Sequence, residues 1–159
     1  IKSQPPLHVI SLSGVDYPGT VFAEAYCALK QHGLTGSVRG LLTIYPGSME
    51  FQRTGKRTPP HRCEAVFIVD DVVHQPIKLS DDRQMCVWDV PAYPQVASFV
   101  STKSDCERGL DIQALWQWMQ IYHYRLIAPT REFYLKRPRE TENYLTELIF
   151  PIEPIQPEE

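Results

Sequence analysis

The sequence predicts an α+β fold: two βαββ units related by a pseudo-twofold axis, making one antiparallel sheet with two helices on one face and a ligand groove on the other. Three observations predict this. The order strand, helix, strand, strand reads twice along the 159 residues. Matching residues recur at similar offsets, with Val9 and Val96 apart by 87 (96 − 9), Leu29 and Trp118 by 89 (118 − 29), and Glu64 and Glu147 by 83 (147 − 64). The last strands of the two halves also align, Glu64-Ala65-Val66-Phe67 over Glu147-Leu148-Ile149-Phe150.

The elements follow in order. Leu7 to Leu12 (LHVISL) reads as a strand, rich in the residue types that a packed sheet favours. Phe22, Ala25, Tyr26 and Leu29 then fall at i, i+3, i+4 and i+7, one apolar helical face. His32-Gly33 supplies the stop. A short strand, Leu41 to Tyr45, leads into the polar loop PGSMEFQRTGKRTPP and then the longer strand CEAVFIV from Cys63. The second half repeats the plan. Gln95 to Val100 is its first strand, and Ile112, Leu115, Trp116 and Met119 form its helical face, ending near Tyr122. Glu132 to Leu135, the loop KRPRETEN and TELIFPI from Thr146 complete it. One domain, 1–159, is expected, with repeat one over 1–71, a polar linker over 72–84, repeat two over 85–153 and an extended tail over 154–159. Met85 to Val90 reads as an extended lead-in to the second half, as Ile1 to Gln4 does for the first.

Composition excludes several functions. Hydrophobic content of 43% and charged content of 22% fit a soluble globular chain. A formal net charge of −3 argues against nucleic-acid binding by this chain, which needs a basic face. The run Arg53, Lys56, Arg57 reads as a solvated loop. No apolar stretch is long enough to span a membrane, and IKSQPP has no signal-peptide core. Starting at Ile1, the chain reads as trimmed or cut from something longer. The four cysteines, 27, 63, 86 and 106, lack CxxC spacing. They read as free thiols of a reducing, cytoplasmic compartment, with Cys63 and Cys86 in the core. The histidines show no metal-ligand spacing, so no metal or cofactor is expected.

Glu147 stands in the apolar strand NYLTELIFPIEP, on the face that carries Leu145 and Ile149. A carboxylate there is costly unless it is paired. Glu64 repeats the anomaly. Aromatic residues crowd the second half: Trp116, Trp118, Tyr122, Tyr124, Phe133, Tyr134, Tyr144 and Phe150. Singly, each reads as core; together beside a carboxylate they suit a flat, lipophilic cation through stacking and cation–π contacts.

These residues carry a resemblance. TELIFPI after a proline-containing loop, ALWQW on the second helix and REFYLKRP between them look like the GyrI-like small-molecule-binding domain, and PPLHVISLSG, AEAYCALKQHGL and CEAVFIV agree in the first half. The resemblance covers nearly the whole chain. The turn GVDYP, Gly14 to Pro18, matches the Gly-Pro-Tyr-like turn of the family, whereas TKSDCERG has no such turn. The resemblance implies a bacterial effector-binding module of AraC-type or MerR-type multidrug transcription regulators, or a stand-alone drug-binding protein. It implies Glu147 as the pocket glutamate and Trp118 as the aromatic on the second helix. Tyr134 and Tyr144 are further candidate walls, although alternation puts Tyr144 on the opposite face. Tyr45 and Glu64 are the first-half candidates, and Trp116 lies between pocket and core. The expected partner is a small hydrophobic or cationic ligand. A DNA-binding domain in a longer chain, or DNA gyrase, is the expected macromolecular partner. Two alternatives stand beside this reading: a hydrolase of reactive electrophiles using Glu147, and a gyrase-protecting interaction module.

Overall fold

A computed structural model describes residues 1–15, 18–45, 62–104, 107–135 and 145–157. In chain order the elements are β1 (Lys2–Gln4), β2 (Leu7–Gly14), α1 (Pro18–Gln31), β3 (Val38–Ile44), β4 (Cys63–Val69), β5 (Ile77–Lys78), β6 (Gln84–Val90), β7 (Tyr93–Ser101), α2 (Gly109–Ile121), β8 (Tyr124–Leu126), β9 (Arg131–Tyr134) and β10 (Thr146–Pro154). The strands form one antiparallel sheet in the order β1-β7-β10-β9-β3-β4-β2-β6-β5, with β8 on the end of β10. Each half contributes its strands in the sequence first, last, middle, and the two middle strands, β3 and β9, meet at the centre. The fold is α+β with an open sheet.

Both helices lie on one face. α1 buries Val21, Ala25, Ala28 and Leu29 against Ile10, Leu12, Ala65 and Phe67. α2 buries Ile112, Leu115 and Met119 against Ala97, Leu148 and Phe150. Each large apolar side chain taken fully out of water contributes about 1.5–3 kcal/mol. Gly14 lets α1 approach the end of β2, since a Cβ there would sit 2.5 Å from a Val21 methyl carbon. Gly33, at φ 69°, supplies the left-handed residue after α1, and His123, at φ 57°, takes that role after α2. The expected stops near His32-Gly33 and Tyr122 both hold.

The opposite face is concave, for a reason visible in the register. β1 pairs with β7 (Gln4 opposite Tyr93), and β2 pairs with β6 (Leu7 opposite Val90). Residues 2–14 and 84–96 are thus a single kinked ribbon, broken at Pro5-Pro6 and Pro91-Ala92, where proline removes backbone donors. That ribbon joins strands at opposite ends of the sheet, so the sheet must curl. A second apolar cluster fills the inside of the curl: Val9, Leu42, Ile44, Val66 and Val90, with Trp88, Tyr93 and Phe133 against it.

Some local expectations are corrected. Tyr26 is 49% exposed, because Val21 and Ala28, not Tyr26, complete the buried face of α1. Cys63 is buried, but Cys86 is exposed, because β6 lies next to the end of the sheet. The linker contains β5, which pairs with β6. The strand β8, too short to show a period, pairs with Ile152–Pro154. The loops PGSMEFQRTGKRTPP and KRPRETEN, with the basic run Arg53, Lys56, Arg57, lie outside the described residues.

Candidate functional site

Strand pairing decides which side chains can meet, because residues opposite each other share a face. Glu147 stands opposite Phe133, and Phe133 packs in the concave cluster. Glu64 stands opposite Ile44 of that same cluster. Both glutamates therefore face away from the helices, three strand spacings apart, or about 15 Å along the sheet. Glu147 is 14% exposed and forms an ion pair with Lys2, itself half exposed. Glu64 accepts a hydrogen bond from the Ser11 hydroxyl at 2.8 Å and a long one from Ser13 at 3.5 Å. The indole N–H of Trp88 donates to the Ser11 oxygen at 2.8 Å, so a relay Trp88 to Ser11 to Glu64 orients that carboxylate.

The next residue pattern belongs to the helix side. Glu132 stands opposite Thr43 and Leu148 at the middle of the sheet and is 3% exposed. Its Oε2 takes three donors: the Arg108 guanidinium at 2.9 Å, the Tyr45 hydroxyl at 3.0 Å and the Tyr134 hydroxyl at 3.4 Å. Thr43 Oγ1 lies 2.7 Å from the Tyr134 hydroxyl. Arg108, just before α2, is 2% exposed, so this is a buried ion pair. Glu132 Oε1 is also buried but has no hydrogen-bond partner. An unmet oxygen on a buried carboxylate is costly, and a guest that brings positive charge or a donor against it offsets that cost. Phe22 of α1 packs edge-on against Tyr134, with centroids 5.8 Å apart. The carboxylate is thus flanked by elements from both halves: Tyr45 and Phe22 from the first, Tyr134 and Arg108 from the second.

The predicted residues divide accordingly. Tyr45 and Tyr134 come together, through a glutamate that the sequence reading did not single out. Glu147 and Glu64 are on the other side of the sheet. Trp118 stacks on Tyr124, with centroids 5.5 Å apart and planes within 8°, and leans on Tyr122. Trp116 packs against the α2 core, its indole N–H buried without a partner. Tyr144 lies outside the described residues. The signal that could have found Glu132 is the alternation Arg131-Glu132-Phe133-Tyr134. It sets Glu132 and Tyr134 on one face, the one that Thr43 shares. Among the described residues no cluster of His, Cys, Asp and Glu could hold a metal ion. No helix described is long and apolar enough to cross a membrane.

No family model and no curated protein matches the sequence. Solved structures do match. The C-terminal domain of EcmrR superposes with a TM-score of 0.72 at 19% identity, over 97% of this chain and 96% of that one. EcmrR in its complex with DNA gives 0.74 at 16% identity over 97% of this chain, which spans only 56% of that longer one. A hydrolase from Listeria innocua gives 0.57 at 14% identity, over 96% of this chain and 92% of that one. SAV2435 bound to tetraphenylphosphonium gives 0.55 at 12% identity, over the same shares of the two chains. With strand order, helix placement and these neighbours in agreement, the chain has the fold of the GyrI-like domain that its motifs resemble.

Proposed function

We propose that this chain is a single small-molecule-binding module whose ligand, hydrophobic and cationic, rests on the helix side of the sheet against Glu132. The observation that carries this is the buried Oε1 of Glu132, unpartnered beside the rings of Tyr45 and Tyr134. In this reading Glu132, whose Oε2 pairs with Arg108 but whose Oε1 is unpartnered, takes the role the sequence suggested for Glu147. Tyr45, Tyr134 and Phe22 form the walls. A solved neighbour of this fold holds tetraphenylphosphonium, a lipophilic cation. Another sits within a DNA-bound protein nearly twice as long, which supports a ligand-reading part of a transcription regulator, with DNA contacts made by a separate domain.

Calorimetry with tetraphenylphosphonium and neutral triphenylphosphine oxide tests this. Glu132→Gln is expected to weaken the cation by at least about thirtyfold and to leave the neutral compound nearly unchanged. Tyr134→Phe keeps the ring and should weaken both ligands only slightly. Equal losses for both compounds in Glu132→Gln would overturn the charge argument.

A second reading is hydrolysis, favoured by a hydroxyl and a carboxylate 3.4 Å apart in a buried site and by the hydrolase among the neighbours. Glu132 would then deprotonate water while Tyr134 donates a hydrogen bond. Mass-spectrometric detection of hydrolysed product from a strained-ring electrophile, lost in Glu132→Gln, would select it over binding alone.

A further inference from the structure

Arg131 precedes Glu132 on β9 and so points through the sheet to the concave side, between Ile44 and Ile149 on the neighbouring strands. It is 3% exposed. Its Nε and Nη1 are buried without a hydrogen-bond partner, Nη2 reaches the Pro129 carbonyl at 3.4 Å, and the Tyr93 side chain adds a weak hydrogen-bonding contact. The guanidinium carbon lies 4.9 Å from the centroid of the Tyr93 ring. No described carboxylate answers this charge: Glu147, diagonally across β10, is held by Lys2, and Glu64, two strands away, is held by Ser11 and Ser13. Burial lowers the Arg131 pKa, opposed by Tyr93, yet an arginine stays protonated in a protein. Buried charge without a counter-charge is strongly disfavoured.

A second side chain is in the same condition. Gln4 stands opposite Tyr93 and so shares its face. It is 6% exposed, and both atoms of its amide are buried and unpartnered. The two sets of unmet polar atoms thus lie on either side of one half-buried tyrosine, at the kink that joins the two ends of the sheet. The guanidinium can donate to an anion from its Nε and Nη1.

We propose that the concave side holds a small oxyanion, a carboxylate or phosphate-type group, bound by the Nε and Nη1 of Arg131 beside the Tyr93 ring. This site is separated by the sheet from the Glu132 site and does not depend on it. Tyr93 is its cover, and ligand entry requires that ring to swing aside.

Thermal unfolding at fixed ionic strength tests the proposal, with acetate, phosphate or chloride as the varied anion against a bulky, poorly binding one. Acetate or phosphate near 100 times its dissociation constant should raise the midpoint by about 5–11 °C. Chloride, lacking the paired oxygens, should raise it less. Arg131→Met should abolish the dependence while leaving tetraphenylphosphonium binding in place. If Arg131→Met does not fold, arsenate soaked into wild-type crystals decides: an anomalous arsenic peak whose oxygens lie within hydrogen-bond reach of Arg131 Nε or Nη1 supports the site. Its absence, an equal response to every anion, or an unchanged response in Arg131→Met would overturn it.

Discussion

Glu132 and Glu147 are fifteen residues apart, on adjacent strands, and their surroundings differ in every respect. Glu147 interrupts an apolar run, yet it sits on the concave side and ends in an ion pair with a half-exposed lysine. Glu132 lies in a four-residue strand, yet it is buried with an arginine and two tyrosine hydroxyls. The lesson concerns what makes a carboxylate unusual. Apolar neighbours along the strand describe only the strand itself. What counts is the layer above it, and that layer is set by helix placement.

The largest test of the contrast is the ion pair under the helices. Glu132→Leu alone should destabilise the protein by about 3–5 kcal/mol in urea unfolding, because it removes the buried carboxylate that Arg108 pairs with. The double variant Glu132→Leu with Arg108→Met should recover most of that loss. A small effect of the single change would mean that Glu132 is no more buried in function than Glu147. Next in size is the concave relay. Trp88→Phe removes the donor to Ser11 and should cost about 1 kcal/mol in the same measurement. Glu147→Gln should cost less than about 1 kcal/mol, since its partner is half exposed and the pair is open to salt screening. A loss as large as that at Glu132 would erase the distinction. The smallest effect is a pH dependence. His8 has a raised pKa, first from its hydrogen bond to the Val73 carbonyl and then from Asp89. A raised folded value stabilises fully below the unfolded pKa, near 6.5, and the gain is lost as pH rises through the folded value. Unfolding curves taken from pH 6 to pH 9 should show this decline, and His8→Gln should flatten it.

Much of the architecture was legible in the sequence. Apolar periods of two and of three to four placed α1, α2, β2, β4, β7 and β10, because each has enough residues to show its period. β5 and β8, two and three residues long, could not. Tyr26 was misread because its spacing fits the buried face, while the smaller Ala28 is what the close approach of α1 to the sheet admits. Of the residues in the proposed site, Tyr45 and Tyr134 were legible as aromatic ends of central strands. Glu132 was not, because its burial depends on β3, β10 and the start of α2 arriving from distant parts of the chain. The resemblance pointed to a pocket carboxylate on β10, Glu147, whereas the carboxylate buried under the helices, Glu132, lies on β9.

The crosswise ribbon has one more consequence. The opening strand of the chain completes the sheet of the second half, and the lead-in to the second half completes that of the first. Neither part owns all of its edges. Cut between Asp70 and Gln84, the molecule should yield two fragments that are unstable apart and reassemble when mixed, each lending the other its missing border.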